Sequence, residues 1–213
     1  MKIVSIIPIK TNNERLPGKN TKILGDVPLI TYVQKLVLGL NMISERYVFC
    51  SDESIKSYLL PGIRFLQRDP SLDEANTNFT QIFTSFYSQV DADIYVYAHA
   101  TAPYVTLNSA QECLDKVVSG ENDSSFCAVK IQDFLWQNGK PLNFDASNLP
   151  RSQDLPTIYR ETSGVYVFTK EVFKLYKRRI GKKPFIKEVN FKESIDINNK
   201  EDFIIAEQFW NIL

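Results

Sequence analysis

The first 131 residues alternate short runs rich in β-branched and aromatic side chains with amphipathic stretches, and this rhythm restricts the chain to strand–helix–strand units around a mostly parallel sheet. Strands are predicted at residues 2–9, 46–51, 64–67, 94–99 and 125–131, with helices between them. Phe79, Ile82, Phe83, Phe86, Tyr87 and Val90 recur at helical spacing and present one apolar stripe to the sheet. Residues 132–160 break the rhythm with Asn138-Gly139, Pro141, Pro150 and Pro156, and read as an excursion that caps a site or reaches a second subunit. The rhythm returns with a strand at 164–168, a helix at 171–179, a strand at 185–189 and a last helix whose start is marked by Asn199 and Asp202. The expectation is one α/β domain over residues 1–213.

Composition narrows the partners. Lys+Arg and Asp+Glu are 25 each, so the overall field offers nothing to a polyanion and nucleic acid is not an expected partner. No apolar run approaches the roughly 20 residues of a membrane span. Met1-Lys2-Ile3-Val4-Ser5 enters the strand pattern without a leader-like region, so a cytoplasmic location is expected. Cys50, Cys113 and Cys127 lack CxxC spacing and are expected to be reduced thiols in or near the core.

The first strand opens into Lys10-Thr11-Asn12-Asn13-Glu14-Arg15-Leu16-Pro17-Gly18-Lys19-Asn20. A buried first strand delivers such a loop to the carboxyl edge of the sheet, where ligands of open α/β sheets sit. Arg15 and Lys19 are cationic donors, Gly18 lets backbone approach a ligand and Pro17 stiffens the turn, so the loop is a candidate phosphate site. Asn12 and Asn20 either add neutral donors or serve the turn. GxGxxG is absent and no acidic ribose partner is evident, which argues against a dinucleotide-dependent dehydrogenase.

Ile7-Pro8, Arg15-Leu16-Pro17-Gly18-Lys19-Asn20 and Gly25-Asp26-Val27-Pro28-Leu29-Ile30 together resemble the amino-terminal signature of the sugar-activating cytidylyltransferases, which couple CTP to sialic acid, its nonulosonic relatives or the eight-carbon acid KDO. The resemblance continues through most of the chain. It implies a Rossmann-like nucleotidyltransferase fold, a Mg²⁺ cofactor, CTP and a nonulosonic acid as substrates, and a homodimer. Lys10 stands where the family usually has arginine and is assigned with Asn12, Arg15 and Lys19 to the triphosphate, Arg15 and Lys19 also offsetting charge during transfer. Ser51 and Arg68 occupy the base-recognition segments, Arg68 as the candidate for the cytosine ring; Ser51 and Asp52 equally suit capping of the next helix.

His99-Ala100-Thr101-Ala102-Pro103 is similar to the family's Gln-Pro-Thr-Ser-Pro turn, which makes Thr101 a substrate contact and His99 either a ligand contact or a structural histidine. Pro150-Arg151-Ser152-Gln153 and Ser163-Gly164-Val165-Tyr166 resemble the family's Pro-Arg-x-Gln and Asn-Gly-Ala-Ile-Tyr segments. Arg151, Gln153, Ser163 and Tyr166 are therefore expected substrate contacts, Arg151 toward the acceptor carboxylate and across a dimer, with Ser163 replacing an asparagine. Ser194-Ile195-Asp196-Ile197-Asn198 is similar to Ser-Ile-Asp-Ile-Asp, and residues two apart on an extended strand face one way, which points Asp196 and Asn198 at one Mg²⁺. Asn198 replaces the second carboxylate; with Asn199 it equally serves the start of the last helix. The expected activity is joining CTP and a sialic-acid-like acid to give the CMP-sugar and pyrophosphate. The rivals are a same-fold transferase for another sugar such as KDO, and a nucleotide-sugar-binding protein without catalysis.

Overall fold

A computed structural model describes residues 1–211. Its seven-stranded sheet contains β1 (Ile3–Ile9), β4 (Glu45–Cys50), β5 (Arg64–Gln67), β6 (Ile94–Ala98), β7 (Ser124–Ile131), β10 (Ile158–Thr169) and β11 (Pro184–Glu188). Two small hairpins lie outside it, β2 (Ile23–Leu24) with β3 (Val27–Pro28) and β8 (Trp136–Gln137) with β9 (Lys140–Pro141). The helices are α1 (Leu29–Gly39), α2 (Phe79–Tyr87), α3 (Leu107–Val118), α4 (Lys170–Tyr176) and α5 (Lys200–Asn211). Strand order is β11-β7-β10-β6-β1-β4-β5. β10 runs antiparallel to both neighbours and the remaining pairs are parallel. The α/β class and the mostly parallel sheet expected from the sequence are both present.

Strand periodicity explains the layers. Along β1, Ile3, Ile7 and Ile9 join α1 and α3 in one core, while Val4 and Ile6 join the aromatic core of α2 and α4 on the other face. Phe83 and Phe86 supply the predicted α2 stripe, and Phe83 meets Phe173 of α4 edge to face at 4.5 Å. Asn78 and Gln81 close a reciprocal capping box at the start of α2. A third apolar cluster joins Leu16, Leu24, Tyr104, Ile197 and Phe203, and so fastens the first loop to α5.

Two boundaries and one strand register differ from the sequence reading. Ile158, Tyr159 and Arg160 pair with Ile131, Lys130 and Val129, so the excursion leaves the sheet only for residues 132–157. The polar and proline-rich sequence conceals this pairing. The helix expected at 171–179 ends at Tyr176 because Lys177 turns left-handed, φ 53°, which frees Arg178 and Arg179 from it. In β10 the register against β7 slips between Glu161 and Tyr166, bulging the strand beside the end of β6. Among the described residues no helix is long and apolar enough to cross a membrane.

Candidate active site

The loop after β1 holds one of its cations, Lys19, inward. Asn13 and Asn20 both donate to the Lys10 carbonyl, at 2.6 and 2.9 Å, so Asn20 serves the turn. Gly18 takes φ 64°, a left-handed conformation costly for other residues, and begins the short 3₁₀ turn that carries Lys19. Lys19 is 7% exposed and donates to the Ile197 carbonyl at 2.8 Å. Burial lowers its pKa, an effect opposed by the Asp196 charge.

Lys10, Asn12, Arg15 and Lys19 line one open cavity of about 270 Å³, with Asn198 on its wall. A second cavity of about 310 Å³ is lined by Arg160, Ser194, Asp196, Asn198 and Asp202 among others, so Asn198 borders both. Its side-chain oxygen accepts from Arg15 at 3.1 Å and its nitrogen donates to Asp196 Oδ2 at 2.8 Å. Asp196 Oδ1 is buried with no hydrogen-bond partner. Asp202 accepts from the backbone of Asn198 and Asn199, while Asn199 accepts from the Asp202 N–H, so this segment also starts α5 as its sequence suggests.

The turn after β6 supports the segment that carries Asp196. Thr101 presents its carbonyl to the Ile197 N–H at 2.8 Å. Thr106 caps α3 and bonds the buried Glu193 through both its N–H and its hydroxyl. His99 is held to the β10 bulge by its N–H on the Gly164 carbonyl, 3.1 Å. Its ring sits 5.0 Å from Tyr97 and 6.2 Å from Tyr166, and its Nε2 is buried without a partner. Burial first, then the Arg179 charge, lowers its pKa to about 4, so the ring is neutral near pH 7.

Other predicted residues lie elsewhere. Arg68 is 1% exposed and ion-paired with Asp73, whose second oxygen accepts from Ser51; the Arg68 Nε is buried and unpartnered. Asp52 caps the following 3₁₀ turn by accepting from the Ser54 N–H. Arg151 is exposed on the excursion, paired with Asp154 at 2.7 Å, and neither it nor Gln153 lines the two cavities. Ser163 lies within the bulged span, and the buried Tyr166 places its hydroxyl 2.5 Å from Glu161. Sequence reading missed Arg160 and Asp202. Arg160 is a cation in an apparently irregular stretch, and Asp202 reads as a helix-start residue, so neither stands out before the fold joins them to Asp196.

Clustered cations beside a carboxylate with one unused oxygen, at the carboxyl edge of a mostly parallel sheet, are the groups that nucleotidyl transfer requires. Solved structures with this fold include a CMP-2-keto-3-deoxy-manno-octonic acid synthetase complexed with CTP, with TM-score 0.73 and 15% identity over 100% of this chain and 99% of that one. Another is a 4-diphosphocytidyl-2C-methyl-D-erythritol synthase from Anaerococcus prevotii, with TM-score 0.68 and 14% identity over 99% and 96%. The chain belongs to the cytidylyltransferase family, which it matches over residues 4–210. It is 25% identical to N-acylneuraminate cytidylyltransferase A of Danio rerio over 97% of this chain and 50% of that protein. It is 24% identical to a pseudaminic acid cytidylyltransferase of Campylobacter jejuni over 81% of each. The chain spans about half the length of the first curated relatives it matches.

Proposed function

We propose that this chain is a single catalytic domain that transfers CMP from CTP to a sialic-acid-like nonulosonic acid, releasing pyrophosphate. The observation that carries this reading is the shared wall at Asn198: the cavity of Lys10, Arg15 and Lys19 abuts the cavity of Asp196. The triphosphate lies against the three cations, with Asn12 as a neutral donor. Arg15 and Lys19 offset the charge that develops as the acceptor hydroxyl attacks the α-phosphorus and pyrophosphate leaves in line. Arg68 is the residue assigned to the cytosine ring, which its buried pair with Asp73 must open to admit.

Asp196 fits a Mg²⁺ ion, because this ion typically takes one or two carboxylates and completes its shell with water and phosphate oxygens, and Asp196 Oδ1 is an unused acceptor. Bound there, Mg²⁺ would supply charge neutralisation on the phosphates. The acceptor extends past His99, Thr101, Ser163 and Tyr166 at the β6–β10 edge. We further propose a homodimer through the excursion, whose Phe134, Trp136, Leu142 and Leu149 are exposed, with Arg151 and Gln153 completing the neighbouring site. The unbonded thiols of Cys50, Cys113 and Cys127 agree with action in the cytoplasm.

Pyrophosphate release from CTP and Mg²⁺ across sialic, legionaminic and pseudaminic acids and KDO, with UTP, ATP and GTP as controls, tests the reading. Acid-dependent release with CTP alone is expected. CTP binding without release for every acid would replace it with a nucleotide-binding role.

A further inference from the structure

Arg179 leaves the end of α4 and lays its guanidinium over the Tyr166 ring, 3.6 Å from the centroid. It also pairs with Glu161 at 2.9 Å, and the same Glu161 oxygen lies 2.5 Å from the Tyr166 hydroxyl. These groups adjoin a cavity of about 500 Å³ lined by Phe79, Glu161, Arg178, Arg179, Ile180 and Gly181. The pair lies next to the groups assigned to the acceptor: the Tyr166 ring under Arg179 is 6.2 Å from the His99 ring, and Arg160, adjacent to Glu161 in β10, lines the cavity of Asp196. Neither Glu161 nor Arg179 borders the phosphate cavity.

We propose that Arg179 and Glu161 determine acceptor specificity by reading a hydrogen-bonding exocyclic substituent on the sugar acid, a proposal that rests on the transferase reading above. A guanidinium offers only donors and a carboxylate only acceptors, so a substituent satisfying both must accept and donate. A hydroxyl-bearing side chain does this. A methyl terminus does neither and, by displacing water from the pair, leaves it without replacement partners, which is how polar sites reject apolar analogues. The pair is partly open to solvent, with side chains 25% and 38% exposed, so discrimination is set at about tenfold to a hundredfold rather than the larger factors of sealed sites. Tyr166 orients the pair from below: its buried ring carries the guanidinium and its hydroxyl fixes the carboxylate.

The test is calorimetric affinity, in the presence of a non-hydrolysable CTP analogue, for a sialic acid and for its counterpart with the terminal hydroxyl replaced by hydrogen. Wild type, Arg179→Ala, Arg179→Lys and Glu161→Gln are compared, with affinity for the CTP analogue measured separately and thermal melts reporting folding. Expected are a tenfold or greater preference for the hydroxylated acid in wild type, its loss in Arg179→Ala and Glu161→Gln, partial retention in Arg179→Lys, and unchanged affinity for the CTP analogue. Equal affinity for both acids in wild type, or a preference that survives in folded Arg179→Ala, overturns the proposal. Acid binding that follows the expected pattern without turnover of CTP would sustain it and overturn the transferase reading; turnover with no effect of the variants would do the reverse.

Discussion

The Arg15 guanidinium donates to the Asn198 side-chain oxygen at 3.1 Å across 183 positions of sequence, while the nitrogen of the same amide donates to Asp196 at 2.8 Å. One neutral side chain thus joins the cationic loop to the carboxylate and orients both. This makes the amide a structural bridge as well as a site residue, because the oxygen that would face a metal is turned toward a cation.

Asn198→Asp replaces the donor beside Asp196 with a second negative charge. Two adjacent carboxylates repel until a cation separates them, so the variant should gain more stability from Mg²⁺ than wild type does. Melting temperatures with and without Mg²⁺ report the difference. A larger Mg²⁺-dependent rise in the variant, with half-saturation about tenfold lower, is expected; identical rises would place the ion elsewhere.

Lys19→Met removes a buried charge from the cavity assigned to the triphosphate. Turnover should fall by about a hundredfold to a thousandfold, the usual cost of losing one preorganised charge-stabilising donor. Stability should hold or rise, since burial already disfavours the ammonium. Steady-state kinetics and denaturant unfolding on the same preparation separate the two effects.

His99 binds a proton less readily in the folded chain, where its pKa is about 4, than in the unfolded chain, where the ordinary value is about 6.5. The unfolded state therefore holds more protons between those values. The stabilising contribution is fully present above about pH 6.5 and is lost as pH falls through 4, on the order of 3 kcal/mol in all. Urea unfolding at pH 7 and pH 4.5 should show a smaller loss for His99→Gln than for wild type.

Gly164 brings the β10 bulge against the turn after β6, where an added Cβ would lie 2.5 Å from Val105 Cγ2. Gly164→Ala should cost about 1 to 3 kcal/mol, the range for overpacking a filled site. It should also weaken acceptor binding, because the His99 N–H is bonded to the Gly164 carbonyl. Denaturant midpoints together with acceptor KM check both parts.

The sequence made the central strands and α2 legible because their apolar periodicities are strong and their turns carry recognisable residues. The loop after β1 was legible as a turn for the same local reasons, since Pro17, Gly18 and Lys19 follow one another. What escaped were relations between distant polar residues. Arg160 and Glu161 look like loop until β7 supplies the register that makes them strand, and Arg179 looks like helix until Lys177 ends α4. The Arg68–Asp73 pair depends on a 3₁₀ turn that apolar spacing does not encode.

Transfer of the α-phosphate is tested most directly with CTP labelled at the α-phosphorus, Mg²⁺ and a nonulosonic acid acceptor. The label should appear in a CMP–sugar product in one-to-one ratio with unlabelled pyrophosphate, and Arg15→Ala and Lys19→Met should suppress both together. Label recovered as free CMP or CDP with no sugar adduct, at any acceptor concentration, would contradict the account.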